Sequence, residues 1–143
     1  TSRTQVRCPA GNGRLLEAVK NFRFNQEEIT FLLQNEIVDD STAVWLENFR
    51  FNGNIYGYQE GELFFANSPV LRVEGSFAEA VILETVILSI LNYDSAVASA
   101  AARMRYAAGD RYLAEMGARR ANEYAAVAEA RAATSVGIEY TSH

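Results

Sequence analysis

The residues best suited to chemistry are two adjacent arginines, Arg119 and Arg120, which directly follow Gly117 and Ala118. The residues before them predict a strand over 112–116, and the alanine-rich residues after them predict a helix over 121–133. In parallel strand and helix units, ligands gather where the strands end, and two guanidinium groups beside a helix N-terminus suit a phosphate or a carboxylate. The sequence therefore indicates a site for an anionic substrate.

The residues alone leave a second interpretation of this arginine pair open. Arg119 and Arg120 can instead be solvated, or paired with nearby acids such as Glu115 and Glu123. The sequence has no phosphate-binding glycine loop, no metal-spaced set of histidines or cysteines and no nucleophile elbow. Its one histidine, His143, is the last residue and does not support a catalytic triad. We assign no catalytic residue and no metal ligand.

Composition limits the class of protein. The chain has 143 residues, of which 49% are hydrophobic and 22% charged, which is enough for one ordinary domain. A net charge of -5 argues against nucleic acid and anionic membranes as partners. The single cysteine, Cys8, cannot form an internal disulfide, and residues 77–91 fall short of the roughly 20 apolar residues of a spanning helix. With no secretion leader recognisable, we expect a cytoplasmic protein.

The first half of the chain predicts helices followed by a small β meander. Helical spacing begins at Arg14 and recurs over residues 26–34, and a third helix is expected to begin near Ser41 or Thr42, either of which can cap it. Strands are predicted over residues 55–58, 62–65 and 70–74. The pentapeptide Asn-Phe-Arg-Phe-Asn occurs at residues 21–25 and again at 48–52, which we attribute to chance or shared local packing.

The second half predicts one long helix and then a parallel unit. Ser76 and Glu79 form a capping box, and the apolar residues after them cover more than one face, which is typical of a buried helix. Alanines beyond Tyr93 allow close packing, and Gly109 is a plausible end of the helix. The strand over 112–116, the helix over 121–133 and a strand over 137–140 predict a parallel βα unit.

Several segments of the chain resemble nicotinate phosphoribosyltransferases, especially those of actinobacteria. In chain order they are Gly13-Arg14-Leu15-Leu16-Glu17-Ala18, Phe49-Arg50-Phe51-Asn52-Gly53, Glu60-Gly61-Glu62-Leu63-Phe64, residues 68–79 with their continuation to Asn92, Ala98-Ser99-Ala100-Ala101-Ala102-Arg103-Met104 and Glu115-Met116-Gly117-Ala118-Arg119-Arg120. The resemblance covers most of the chain from about Gly13 onward.

The resemblance implies a two-part architecture. Family members have an N-terminal α/β domain followed by an irregular α/β barrel. By resemblance, residues 1–109 form the N-terminal domain and residues 110–143 begin an incomplete barrel. The expected fold is an α+β N-terminal domain with a long buried helix and a small β meander, followed by the first βαβ portion of a type II phosphoribosyltransferase α/β barrel.

The resemblance also implies an activity and its site. The family transfers phosphoribose from phosphoribosyl pyrophosphate to nicotinate, with Mg²⁺ and coupled ATP hydrolysis, and so makes nicotinate mononucleotide for NAD synthesis. By resemblance, Arg119 and Arg120 line the substrate pocket. Thr141 and Ser142 join them, because Thr141-Ser142-His143 is similar to a Thr-Ser-Asn segment of the family, although histidine replaces asparagine.

Two family features are missing from the sequence, and they leave the role of the chain open. The N-terminal aromatic motif has no match in residues 1–10, and the histidine that the family phosphorylates would lie further along the barrel, beyond residue 143. We expect this chain alone to be inactive. It is either part of the enzyme, completed by a missing barrel portion or a homo-oligomer partner, or a non-catalytic assembly or binding module. A third interpretation is a pyridine-binding or regulatory domain without transfer chemistry.

Overall fold

The computed structural model describes residues 7–138 and 140–141. Three short helices come first, then a two-stranded antiparallel sheet, one long helix, and a strand, helix and strand arranged in parallel. The elements are α1 Asn12–Asn21, α2 Gln26–Gln34, α3 Asp40–Glu47, β1 Asn54–Gly57, β2 Leu71–Glu74, α4 Phe77–Ala108, β3 Ala114–Glu115, α5 Glu123–Thr134 and β4 Tyr140–Thr141, with a 3₁₀ turn at Ala118–Arg120.

Helix α4 begins as the sequence predicts, whereas α3 begins earlier. The Ser76 hydroxyl accepts from the backbone N–H of Glu79, and the Glu79 carboxylate accepts from the backbone N–H of Ser76, which confirms the capping box. In α3 the cap is Asp39, whose carboxylate accepts from the backbone N–H of Thr42 at 2.8 Å. The prediction of a cap at Ser41 or Thr42 was wrong, because a carboxylate at the helix N-terminus also interacts favourably with the helix dipole.

The predicted β meander is a two-stranded sheet in the structure. β1 pairs directly with β2, with Ile55 opposite Val73. The predicted strand over residues 62–65 was wrong: within the described residues, Phe64 forms only an isolated bridge with Arg7. The physical reason is local, because Gly61 and Asn67 on either side have φ angles of 91° and 69°, which interrupt an extended run.

Helix α4 is the spine of the fold, but only one of its faces is buried. Leu83, Ile87 and Ile90 pack in one core with residues of α1 and with Phe49. On the other side Phe77 is 86% exposed, so the expectation of burial on more than one face was wrong for the described part of the chain. By length and composition alone α4 could cross a membrane. Its packing against α1 and α5 is that of a core helix.

The alanines of α4 bring α5 close. Ala98 is fully buried beside Ala132, and Ala101 lies in a second cluster with Ala133. Small side chains let two helix backbones approach, which confirms the close packing predicted from composition. Because α5 is flanked by β3 and β4, this contact fixes the parallel strand pair relative to α4.

The segment before α1 is tied to α4 by polar groups. The backbone N–H of Cys8 donates to Ser99 Oγ at 3.0 Å, and that of Ala10 donates to Ser95 Oγ at 3.2 Å. Gly11 has φ 99°, and a Cβ there would lie 2.7 Å from Asp94 Oδ2, so glycine suits both the backbone conformation and the close approach.

Asp94 is a buried carboxylate in the middle of α4. Its side chain is 1% exposed, and the guanidinium of Arg14 lies 3.4 Å from its Oδ1. Burial raises the pKa of Asp94, Arg14 opposes that shift, and the negative charge of Glu60 adds to it. Glu60 itself is held in place, because it accepts from the backbone N–H groups of Gly11 and Asn12.

We expect Gly53→Ala to destabilise the fold by roughly 1–3 kcal/mol. A Cβ at Gly53 would lie 1.9 Å from the carbonyl oxygen of Glu74 and 2.7 Å from the ring of Phe51, so the β1–β2 backbone must shift. Urea unfolding measures the effect. Gly13→Ala in α1 is the matched control, since its Cβ would meet only Arg131 Nη1, at an unstrained 4.0 Å, and it should not lower stability. Equal stability of both variants would contradict this account.

Asp94 gives a prediction about pH. Because its pKa is raised in the folded chain, the stabilising contribution of the protonated group is complete below about pH 4 and is lost as pH rises through the raised pKa. The free energy of unfolding of the wild type minus that of Asp94→Asn should therefore fall with rising pH in that range. Thermal melts across a pH series test this, and Glu17→Gln on α1 controls for loss of one negative charge. A constant difference would refute it.

Candidate functional site

The parallel pair β3–β4 places the backbone of Thr141, one of the predicted site residues, near the end of β3. Ala114 lies opposite Tyr140, and Glu115 lies opposite Thr141. Because the strands are parallel, both run toward the same edge, where the chain leaves β3 for the 3₁₀ turn Ala118–Arg120. The backbone of Thr141 therefore lies at the end of the sheet from which Arg119 and Arg120 follow.

The arginine pair is held by its backbone. The N–H of Arg120 donates to the carbonyl of Gly117 at 2.7 Å, and Ala118 between them is buried, so the turn is anchored. The side chains of Arg119 and Arg120 are both exposed. Two guanidinium groups on a fixed turn can bind an anion without an ordering cost for the backbone.

The helix that follows adds to the positive character of this edge. α5 begins at Glu123, and the side chain of its N-cap residue Asn122 makes no capping hydrogen bond. The first N–H groups of a helix lack intrahelical partners and carry a partial positive charge. The turn is followed directly by the start of α5, and binding of a phosphate or carboxylate by Arg119 and Arg120 stays a prediction.

Glu115 has a role that the sequence did not indicate. One of its carboxylate oxygens accepts from the backbone N–H of Gly117, and the other, Oε2, is buried and has no hydrogen-bond partner among the residues that the structure describes. Glu115 thus holds the start of the turn, and among the described ion pairs it makes none with Arg119 or Arg120. In the sequence, the only indication of this hydrogen bond is that Glu115 lies two residues before Gly117, which is a weak signal.

Two exposed tyrosines lie on the same unit. The rings of Tyr112 and Tyr140 are 5.0 Å apart between centroids and tilted by 41°. Met116, at the other end of β3, is also exposed. Tyr112 precedes β3 and Tyr140 lies on β4, so the sequence could not predict that their rings meet.

Some predicted features lie outside the described part of the chain. They are Ser142, His143 and residues 1–6, together with the side chains of Thr141 and Glu123. The pairing of the arginines with Glu123 therefore stays a prediction. In the described residues, no group of three or more histidines, cysteines or acids is placed to hold a metal ion.

Comparison with known proteins identifies the family. The family model described as the nicotinate phosphoribosyltransferase (NAPRTase) N-terminal domain matches residues 2–92. A nicotinate phosphoribosyltransferase of Mycobacterium tuberculosis, pncB1, is 57% identical over 134 residues, which cover 94% of this chain and 30% of the relative. The Bacillus subtilis nicotinate phosphoribosyltransferase is 37% identical over 135 residues, covering 94% of this chain and 28% of the relative.

Comparison with a solved structure supports the same family assignment. The crystal structure of human nicotinic acid phosphoribosyltransferase superposes with a TM-score of 0.89 at 26% identity, covering 98% of this chain and 29% of the human chain. The chain thus spans less than a third of the length of these relatives. Its sequence and fold place it in the nicotinate phosphoribosyltransferase family, of which it represents the N-terminal region.

Proposed function

We propose that this chain is the N-terminal portion of an enzyme that makes nicotinate mononucleotide from nicotinate and phosphoribosyl pyrophosphate in NAD biosynthesis. The names of its relatives support the activity, and the 30% coverage of the Mycobacterium tuberculosis relative supports the need for a further portion. The observation that carries the proposal is the exposed pair Arg119 and Arg120 on an anchored turn at the edge where β3 ends.

The architecture supports a division of the chain into two parts. Residues 1–109 form the N-terminal domain, and residues 110–143 are the first βαβ portion of a type II phosphoribosyltransferase barrel. The end of α4 at Ala108, with Gly109 after it, supports this boundary. Because two strands cannot close a barrel, the exposed edge is covered by the remaining barrel or by a partner subunit in a homo-oligomer.

Within the complete site, the two guanidinium groups bind the substrate carboxylate or a phosphate and counter the negative charge displaced during transfer. Thr141 and Ser142 contribute hydroxyl groups to the same substrate. The exposed rings of Tyr112 and Tyr140 are suitable neighbours for a flat aromatic substrate such as a pyridine. Glu115 positions Gly117 and thereby the turn.

The cofactors belong to the rest of the enzyme. Mg²⁺ and ATP are implied by the family, but the described residues offer no group of acids that fits a metal ion. We therefore give this chain no step that involves them. The proposed enzyme is cytoplasmic, as expected for a chain with one buried cysteine, Cys8, and without an internal disulfide.

The decisive test is a nicotinate mononucleotide assay on the natural polypeptide, with its intact mass measured alongside. Arg119→Gln and Arg120→Gln should each lower kcat/KM by about 100-fold or more, the effect of removing one group that stabilises transition-state charge. Both side chains are exposed, so the thermal midpoint should not change. Arg111→Gln is the matched control, because Arg111 is an exposed arginine seven residues before the turn, on the N-terminal side of β3.

The outcomes separate the alternatives. Activity from a longer polypeptide or a bound barrel partner, lost in the arginine variants, supports the proposal. A stable, inactive species of about this mass with no such partner refutes it and favours a non-catalytic assembly or binding module. Unchanged activity in both arginine variants refutes the site assignment alone.

A further inference from the structure

A second cationic site lies on the N-terminal domain, on elements that do not include the arginine pair at 119 and 120. A cleft of about 500 Å³ lies between the end of α1 and the start of β1. Lys20, Arg23 and Arg50 line it, and none of its nine lining residues is acidic. This is unexpected on a chain with a net charge of -5, because random placement of the charges would mix acids into such a surface.

The repeated Asn-Phe-Arg-Phe-Asn pentapeptide builds this cleft. Each copy follows the end of a helix, α1 for the first and α3 for the second. The rings of Phe22, Phe24 and Phe49 meet edge to face, with centroids 5.4 to 6.0 Å apart. Because side chains alternate in an extended segment, the arginine between the phenylalanines points outward in both copies. Shared packing therefore explains the repeat, as one of the two interpretations predicted.

The two arginines are available for a ligand. Arg23 and Arg50 each donate from Nη1 to the carbonyl of the preceding phenylalanine, which uses one of five N–H donors. Neither has an acidic partner among the described ion pairs. Desolvation lowers the pKa of Arg23, and the positive charge of Arg50 lowers it further.

Two like charges in one cleft, with no acidic partner among the described ion pairs, favour an anion that can neutralise both. A single carboxylate matches one guanidinium in a bidentate pair, whereas two guanidiniums and an ammonium group match a ligand with several anionic oxygens. The cleft also has an apolar wall formed by Leu16, Val19 and Ile55. Its volume lies within the range typical of small-molecule sites.

We propose that this cleft binds a small molecule that carries a diphosphate, with the diphosphate held by Arg23, Arg50 and Lys20 and an apolar group against Leu16, Val19 and Ile55. The site lies on α1, the segment after α3 and β1, none of which carries the arginine pair of the proposed transferase site. Occupation of this site would neutralise the repulsion between the two arginines.

Calorimetric titration of the natural polypeptide with uridine diphosphate and with pyrophosphate, in magnesium-free buffer, tests the proposal. The double variant Arg23→Gln/Arg50→Gln should weaken binding of both probes about 10-fold or more, because each charge-assisted hydrogen bond is stronger than a neutral one. Arg111→Gln, exposed and outside the cleft, should leave both affinities unchanged. Leu16→Gln should weaken uridine diphosphate more than pyrophosphate, since Leu16 is part of the apolar wall.

Three results would overturn the proposal. One is the absence of binding for both probes. Another is equal weakening by Arg111→Gln, which would mean that only general charge attraction is measured. The third is weakening by the double variant Arg119→Gln/Arg120→Gln with no effect of Arg23→Gln/Arg50→Gln, which would assign the probes to the proposed substrate site. Thermal midpoints of all variants confirm that the exposed substitutions leave the fold intact.

Discussion

The fold depends on one constraint, which is that a single face of α4 serves two cores. Leu83 and Ile87 in its first half pack against α1 and Phe49. Ala98 and Ala101 in its second half let α5 approach closely. At about 1.5 Å per residue, a helix of 32 residues spans about 48 Å, so the two cores are joined by one rigid element. The position of the turn that carries Arg119 is thereby fixed relative to the N-terminal helices.

Features of the fold that arise from neighbouring residues could be predicted from sequence. The capping box of Ser76 and Glu79 is local, and so is the helical spacing that located α1 and α2. The prediction of a third strand was wrong because strand pairing depends on residues far apart in the chain. Phe64 pairs with Arg7, which is more than fifty residues away. Likewise, the exposure of Phe77 depends on which elements cover α4, and periodicity does not contain that information.

The same distinction between local sequence patterns and long-range contacts applies to the candidate sites. The edge with Arg119 was predictable because a strand followed by a helix leaves a pattern in the sequence, and two arginines at that junction are conspicuous. The role of Glu115 was not, because its bond to Gly117 depends on how the chain turns. The repeat showed Arg23 and Arg50 as a matching pair, but only the meeting of Phe22 with Phe49 brings their two segments to one cleft.

The hydrogen bonds of the segment before α1 have a consequence for the order of events during synthesis. Cys8 bonds with Ser99, which is 91 residues later in the chain. At a translation rate of about 5–20 residues per second, on the order of 5 to 20 s separate the synthesis of the two partners. During that interval, the backbone groups of Cys8 and Ala10 hydrogen-bond with water instead, and α1 has no α4 to pack against. The segment before α1 is therefore fixed in place only after α4 has been synthesised.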